Sequence, residues 1–118
     1  MKKVDKPWGS EVWWAHAQGK YMGKILHVKK GHRLSLQYHT DKEETIYVLK
    51  GRLKLTYSVA RDGELKQCFL EEGESYHVYP MTVHRFEAIS EDVTLLEVST
   101  DYPEDVVRIE DDYNRRKE

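Results

Sequence analysis

Turn signals recur along this chain at AQGK, KKGH, HTDK, RDGE, EEGE, YPMT and ISED, and the runs between them are short and rich in strand-favouring residues. This punctuation limits the fold more than any other feature. A chain broken so often cannot build long helices, and it must bury its apolar side chains by pairing strands. Strands are expected over residues 10–15, 23–29, 33–39, 44–50, 52–60, 66–70, 75–79, 84–88 and 93–99. The Asp-Gly pair in Arg61-Asp62-Gly63-Glu64 suits the positive φ angles of a tight hairpin. So many short strands predict an all-β fold, a small barrel or sandwich. The tail DYPEDVVRIEDDYNRRKE has Val106, Val107 and Ile109 as its apolar anchors and is expected as a last strand or a short helix draped on the body.

At 118 residues there is room for one core, so a single domain over 1–118 is expected. A net charge of −2, with acids and bases interspersed, argues against a nucleic-acid partner. No apolar run is long enough for a membrane helix, and MKKVDKPWG has no signal-peptide core. The cytoplasm is the expected location. Cys68, the one cysteine, cannot form an internal disulfide and is expected to pack within the trio CFL.

Period-2 alternation makes the first functional statement. In a strand over 33–39, Arg33, Ser35, Gln37 and His39 share one face, and Gln37 and His39 lie ~7 Å apart. Glu44 shares a face with Ile46 and Val48 in the next strand, and the turn at 40–43 folds that strand back toward His39. His84 opens a later strand with Phe86 and Ala88 on its side. In a small barrel all four polar groups can converge. Two imidazoles, a carboxylate and an amide oxygen suit a borderline divalent ion such as Zn, Mn, Fe, Co or Ni. Four protein ligands still leave a position for water or substrate if the ion expands its coordination.

The spacing Gly31-x5-Gln37-x-His39-x4-Glu44-x6-Gly51 resembles the first cupin motif, with Gln where His is commonest. Gly73, His84 and Ala88 stand at the distances of the second motif, although Pro80 is one place late, Met81 replaces a Gly and Ala88 an Asn. KPWG at 6–9, LSLQYH at 34–39 and EDVVRIEDDYNR at 104–115 resemble the cupin domain of type II mannose-6-phosphate isomerases. The resemblance implies a cupin barrel (a double-stranded β-helix, or jelly roll) with a short C-terminal tail segment. It also implies a metal at Gln37, His39, Glu44 and His84, with zinc first, because type I phosphomannose isomerases hold zinc with the same four residue types. Where the family has an Arg followed by Glu-His-Trp, this chain has Lys42 and then Glu44-Thr45-Ile46; Lys keeps the charge and loses the bidentate fork.

The function implied is a metal-dependent sugar or sugar-phosphate isomerase resembling mannose-6-phosphate isomerase. The alternatives are a sugar-binding or regulatory cupin without turnover and an iron-dependent dioxygenase. Aldose–ketose isomerisation needs a base near the substrate carbon. Lys24, which matches a lysine typical of the family, and Glu44 are the candidates, and a solvated strand-end lysine is the plainer reading of Lys24. Arg33 by its face, Lys42 by its motif position, His77 by its tyrosine neighbours, and Arg108 and Arg115 by resemblance are candidates for substrate binding. The plainer readings are a rim salt bridge for Arg33, packing among tyrosines for His77, and pairing of Arg108 or Arg115 with Glu110, Asp111 or Asp112. Trp8 is expected to plug one end of the barrel. Of Trp13 and Trp14 one must face outward, which with the resemblance points to a homodimer.

Overall fold

The computed structural model describes residues 1–58 and 63–115. All regular structure among them is strand: β1 (Lys2–Lys6), β2 (Gly9–Ala17), β3 (Tyr21–Val28), β4 (Leu36–Tyr38), β5 (Glu44–Lys50), β6 (Leu53–Ser58), β7 (Lys66–Leu70), β8 (Ser75–Val78), β9 (Val83–Ala88), β10 (Val93–Thr100) and β11 (Val107–Glu110). Two antiparallel sheets face each other, ordered β1-β2-β3-β10-β5-β8 and β11-β4-β9-β6-β7. Among the described residues no helix is long and apolar enough to cross a membrane.

Alternation builds the core. Ile46 and Val48 of β5, Val93 and Leu95 of β10, and Leu53 and Leu55 of β6 are all fully buried, while Tyr47, Leu49 and Val98 point outward. Each buried aliphatic side chain contributes about 1.5–3 kcal/mol, enough to hold one half of the interior shut while the other half is polar. Trp8 joins this core at 3% exposure. Trp14 is 44% exposed and its ring covers Gly23, where a Cβ would stand 2.6 Å from ring carbons.

One expectation changes, and one strand appears that the sequence did not signal. The strand expected over 33–39 contracts to Leu36–Tyr38, with a lone bridge from Arg33 to Glu87. Leu34 therefore packs in the main core, while Leu36 and Tyr38 form a second cluster with Val83. The tail forms β11, a strand on the edge of the five-stranded sheet. Residues 2–6 form β1, which carries a single apolar residue among charges and gives no sequence signal; the pairing with β2 from Lys2↔Trp13 to Lys6↔Gly9 creates it. The tight turn expected at 61–64 falls largely outside the described residues, although β6 and β7 pair antiparallel on either side.

Met81, at the position of a motif glycine, has φ 67° and donates its backbone N–H to His39 O at 2.6 Å. A left-handed backbone costs a residue with a Cβ about 1–2 kcal/mol. Glycine's greater freedom in the unfolded chain offsets part of that. Met81→Gly is expected to stabilise the protein by about 0.5–1 kcal/mol, visible as a higher Tm. A lower Tm would show that the Met81 side chain contributes more by packing than its backbone loses.

Candidate metal centre

One end of the interior is polar because the inward positions of several strands change character together. On β5 the buried series ends in Glu44, and on β10 it ends in Glu97 and Ser99. The register places Ser99 against Glu44 and Glu97 against both Ile46 and Lys24, so the charged groups collect at the same end. From the facing sheet, β9 contributes His84, and β4 sets Gln37 opposite it. His39 follows at the end of β4.

His39, Glu44 and His84 each offer a ligand atom, and these atoms lie within 4.8 Å of one another. All three residues are buried, at 4%, 4% and 1% exposure. The imidazoles are 5.0 Å apart between ring centres, and His39 Nε2 is 3.3 Å from Glu44 Oε2. Both rings turn Nδ1 toward a main-chain carbonyl, His39 to Asp105 O at 2.5 Å and His84 to Thr82 O at 2.9 Å. A carbonyl oxygen only accepts, so each Nδ1 carries a proton, and Nε2 is the nitrogen left to face the cluster as a ligand atom. Metal-ligating histidines are oriented in this way. Burial above all lowers His84 to about 4, so its ring is neutral at pH 7.

The donor set fits a divalent ion. Glu44 Oε2 is buried and accepts no hydrogen bond; Lys42 Nζ stands 3.1 Å away as an ion pair without hydrogen-bond alignment. Burial works against ionisation of Glu44, but Lys42 and then the two histidines outweigh it, and its carboxyl titrates well below the usual range. An ionised carboxylate beside two imidazole lone pairs is a set that zinc and its first-row neighbours accept. Gln37 Nε2 lies 3.5 Å from Ser35 O, an arrangement that leaves Oε1 free to be a fourth donor.

Around this cluster the charges are buried and paired. Lys42 bridges Glu44 Oε2 at 3.1 Å and Glu97 Oε2 at 3.2 Å. Burial would lower its pKa, and the two carboxylates reverse that and hold it well above the ordinary lysine value. Lys24 Nζ lies 3.4 Å from Glu11 Oε1 and 4.9 Å over the Trp13 ring, while Trp13 Nε1 donates to the same Glu11 oxygen at 2.8 Å. At 5% exposure Lys24 is not a solvated strand-end lysine. Lys24 and Lys42 set against Glu11, Glu44 and Glu97 leave one net negative charge, which a divalent cation reverses. Buried ionic groups gain little stability this way, so so many in one place indicate a site.

Asp105 was not singled out by sequence. Its carboxylate accepts from the backbone N–H of Thr40, Asp41 and Lys42 at 3.0, 2.7 and 2.8 Å, and from the Thr40 hydroxyl at 2.9 Å. It thereby ties the C-terminal segment to the loop between His39 and Glu44. Burial opposes its ionisation, but these donors prevail and bring it down to about 2. A depressed carboxylate stabilises the fold above its unfolded value near 4, and that contribution is lost as pH falls toward 2. Asp105→Ala is expected to destabilise by about 1–3 kcal/mol and to weaken metal binding about 10–100-fold through a misplaced His39. Unchanged metal affinity by calorimetric titration would show that the tie holds the fold alone.

These groups open on a cavity of about 310 Å3, which Lys24, Gln37, Lys42, Arg108 and Arg115 also line. Arg33 and His77 are not brought to it. Arg33 sits before the shortened β4 and its guanidinium is held by Asp112 at 2.7 and 3.0 Å, the rim salt bridge. His77 is on the outward side of β8, paired with Glu43 at 2.5 Å and packed on Tyr79. Arg115 reaches the cavity but is paired with Asp111 at 2.9 Å. Glu11 and Glu97 belong to the cavity wall and were missed, because a single acidic residue in a strand gives no signal until its cross-strand partners are known.

The family model described as the Cupin domain matches residues 24–99. No curated protein matches the sequence. Among solved structures, CapF from Staphylococcus aureus, a capsular polysaccharide assembling protein, superposes with TM-score 0.80 at 16% identity over 92% of this chain. KdgF from Halomonas sp. superposes with TM-score 0.68 at 16% identity, over 86% of this chain and 89% of that one. A candidate sugar phosphate isomerase from Acidithiobacillus ferrooxidans gives TM-score 0.63 at 18% identity, over 75% of this chain and 56% of that one. The chain spans about a third, 34%, of the CapF chain. At these identities the likeness is one of fold.

Proposed function

The chain belongs to the Cupin domain family, and on that premise we propose that it is a metal-dependent isomerase of a sugar or sugar phosphate, resembling mannose-6-phosphate isomerase. The observation that carries the reading is the buried His39/Glu44/His84 cluster sharing one cavity with the buried amine of Lys24. Gln37, His39, Glu44 and His84 would hold the ion, zinc first. Such an ion supplies Lewis-acid polarisation of a carbonyl next to the carbon that loses its proton.

The chain's own residues do the rest. Lys24, in its neutral form, takes the proton from one carbon and returns it to the neighbour, with Glu11 and the Trp13 ring fixing the direction of its amine. Lys42 has both its carboxylate partners inside the protein, so its part is to position Glu44 rather than to bind substrate. Trp8, Leu26 and Phe86 give the cavity an apolar wall that excludes water from the reacting carbons. A volume near 310 Å3 suits a monosaccharide-sized ligand.

The test is interconversion of mannose 6-phosphate and fructose 6-phosphate, followed by NMR with the protein metal-loaded and again after chelation. Turnover that depends on metal supports the reading; none with any hexose or hexose phosphate removes it. A second reading, a sugar-binding cupin without turnover, is favoured by one feature: the amine of Lys24 is already engaged by Glu11 at 3.4 Å. It predicts thermal stabilisation by a sugar and no product. The homodimer is part of this proposal, and a monomer in sedimentation equilibrium at high concentration would remove it.

A further inference from the structure

Among the described residues three cations line the same cavity without an ion-pair partner; Lys2 is exposed and lies 4.6 Å over the Trp13 ring, and the other two are Lys6 and Arg108. These two come from opposite ends of the chain. Lys6 is the last residue of β1, the edge of the six-stranded sheet, and Arg108 lies on β11, the edge of the five-stranded sheet. Arg108 pairs with Gln37, and Gln37 with His84, so the three occupy one cross-strand row. Two strand spacings put the backbone of Arg108 roughly 10 Å from that of His84. Both cations lie outside residues 24–99, the part matched by the family model, whereas the metal cluster lies within it.

We propose that Lys6 and Arg108, joined at one cavity by the first and last strands, form an anion site that takes the phosphate of a small phosphorylated sugar whose other end reaches the His39/Glu44/His84 cluster. This deepens the isomerase reading and rests on it for the sugar, but the anion site itself does not depend on turnover. A phosphate dianion needs cationic partners that the protein has not already neutralised. Arg115 is taken by Asp111, Lys24 by Glu11 and Lys42 by two glutamates, and Lys2 is exposed over the Trp13 ring, which leaves Lys6 and Arg108. Burial lowers the pKa of Lys6; Glu11 opposes this, and Lys24, Arg115 and Arg108 add to it. Arg108 is likewise lowered, by burial and then by Arg115. The cations repel one another in the protein alone, and a bound dianion relieves that repulsion.

The probes are inorganic phosphate, mannose 6-phosphate, mannose and glucuronate, titrated calorimetrically into the chelated and the zinc-loaded full chain. Binding of phosphate and mannose 6-phosphate by the chelated protein, weakening with added salt, is expected. Lys6→Gln is expected to weaken both at least about tenfold, and Lys6→Gln/Arg108→Gln about 100-fold or more. Metal content should stay unchanged in both, which also shows that the variants fold. Failure of phosphate to bind, glucuronate binding in its place, or equal affinity of the single and double variants for mannose 6-phosphate overturns the inference. Tight phosphate-dependent binding with no product upholds the anion site and removes the isomerase instead. Efficient turnover of unphosphorylated mannose, with no gain from the phosphate, keeps the isomerase and removes the anion site.

Discussion

The double variant His39→Ala/His84→Ala is expected to bind no stoichiometric divalent metal and still to fold. Each imidazole supplies an Nε2 lone pair whose direction is fixed by a carbonyl on Nδ1, and nothing else in the cluster replaces it. Loss of an orienting partner alone typically weakens a site 10–100-fold, so loss of one ligand should exceed about 100-fold. The fold survives because the fully buried apolar residues, Ile46, Val48, Leu53, Leu55 and Leu95, lie in the other half of the interior. His84→Ala does leave a small void at a fully buried position beside Phe86, and Tm should fall. Metal analysis together with far-UV circular dichroism separates the outcomes. A folded double variant that keeps one equivalent of metal would show that the ion sits elsewhere.

Lys24→Met is expected to lower isomerisation about 10²–10⁴-fold, the usual worth of a general base, with metal content unchanged. Methionine keeps the length and apolar stem of lysine and removes the amine, so Trp13 retains its neighbour. Glu11 loses its ion-pair partner, although Trp13 Nε1 still donates to it. That leaves a buried carboxylate without its cation, and a drop in Tm of the kind seen for broken buried pairs is expected. Turnover per folded, metal-loaded protein is therefore the quantity to compare. If it is unchanged, Lys24 does not move the proton, and Glu97, 3% exposed in the same wall, is the next group to alter.

Much of this arrangement was legible in the sequence, and the reason is local. Gln37 and His39 are two apart on one strand, Glu44 begins the next, and the loop between them is short; period 2 and a turn bring them together without knowledge of the fold. His84 needed the motif distance from Gly73, and the structure places it opposite Gln37. The reading failed where alternation was extended past the end of a strand. Arg33 was assigned the face of Gln37, but β4 begins at Leu36 and Arg33 pairs with Asp112. His77 was assigned by its neighbours in sequence, whereas β8 is an edge strand that turns it outward to Glu43.

Partners distant in sequence left no trace at all. Asp105 caps the loop at Thr40–Lys42 from 63 to 65 residues away. Glu97 meets Lys42 only because β10 lies between β3 and β5. Lys6 stands on a strand whose composition, KKVDK, reads as a solvated terminus until β2 pairs with it. Lys6 and Asp105 also lie outside residues 24–99, the part the family model matches, whereas Glu97 lies within it.

Anomalous diffraction at the edge of the bound metal, from crystals of protein purified without added ions, tests the central claim most directly. The account predicts one strong peak about 2.0–2.2 Å from His39 Nε2, His84 Nε2 and a Glu44 carboxylate oxygen. A peak at any other place, or none in protein that also fails to take up Zn, Mn, Fe, Co or Ni on titration, would contradict it.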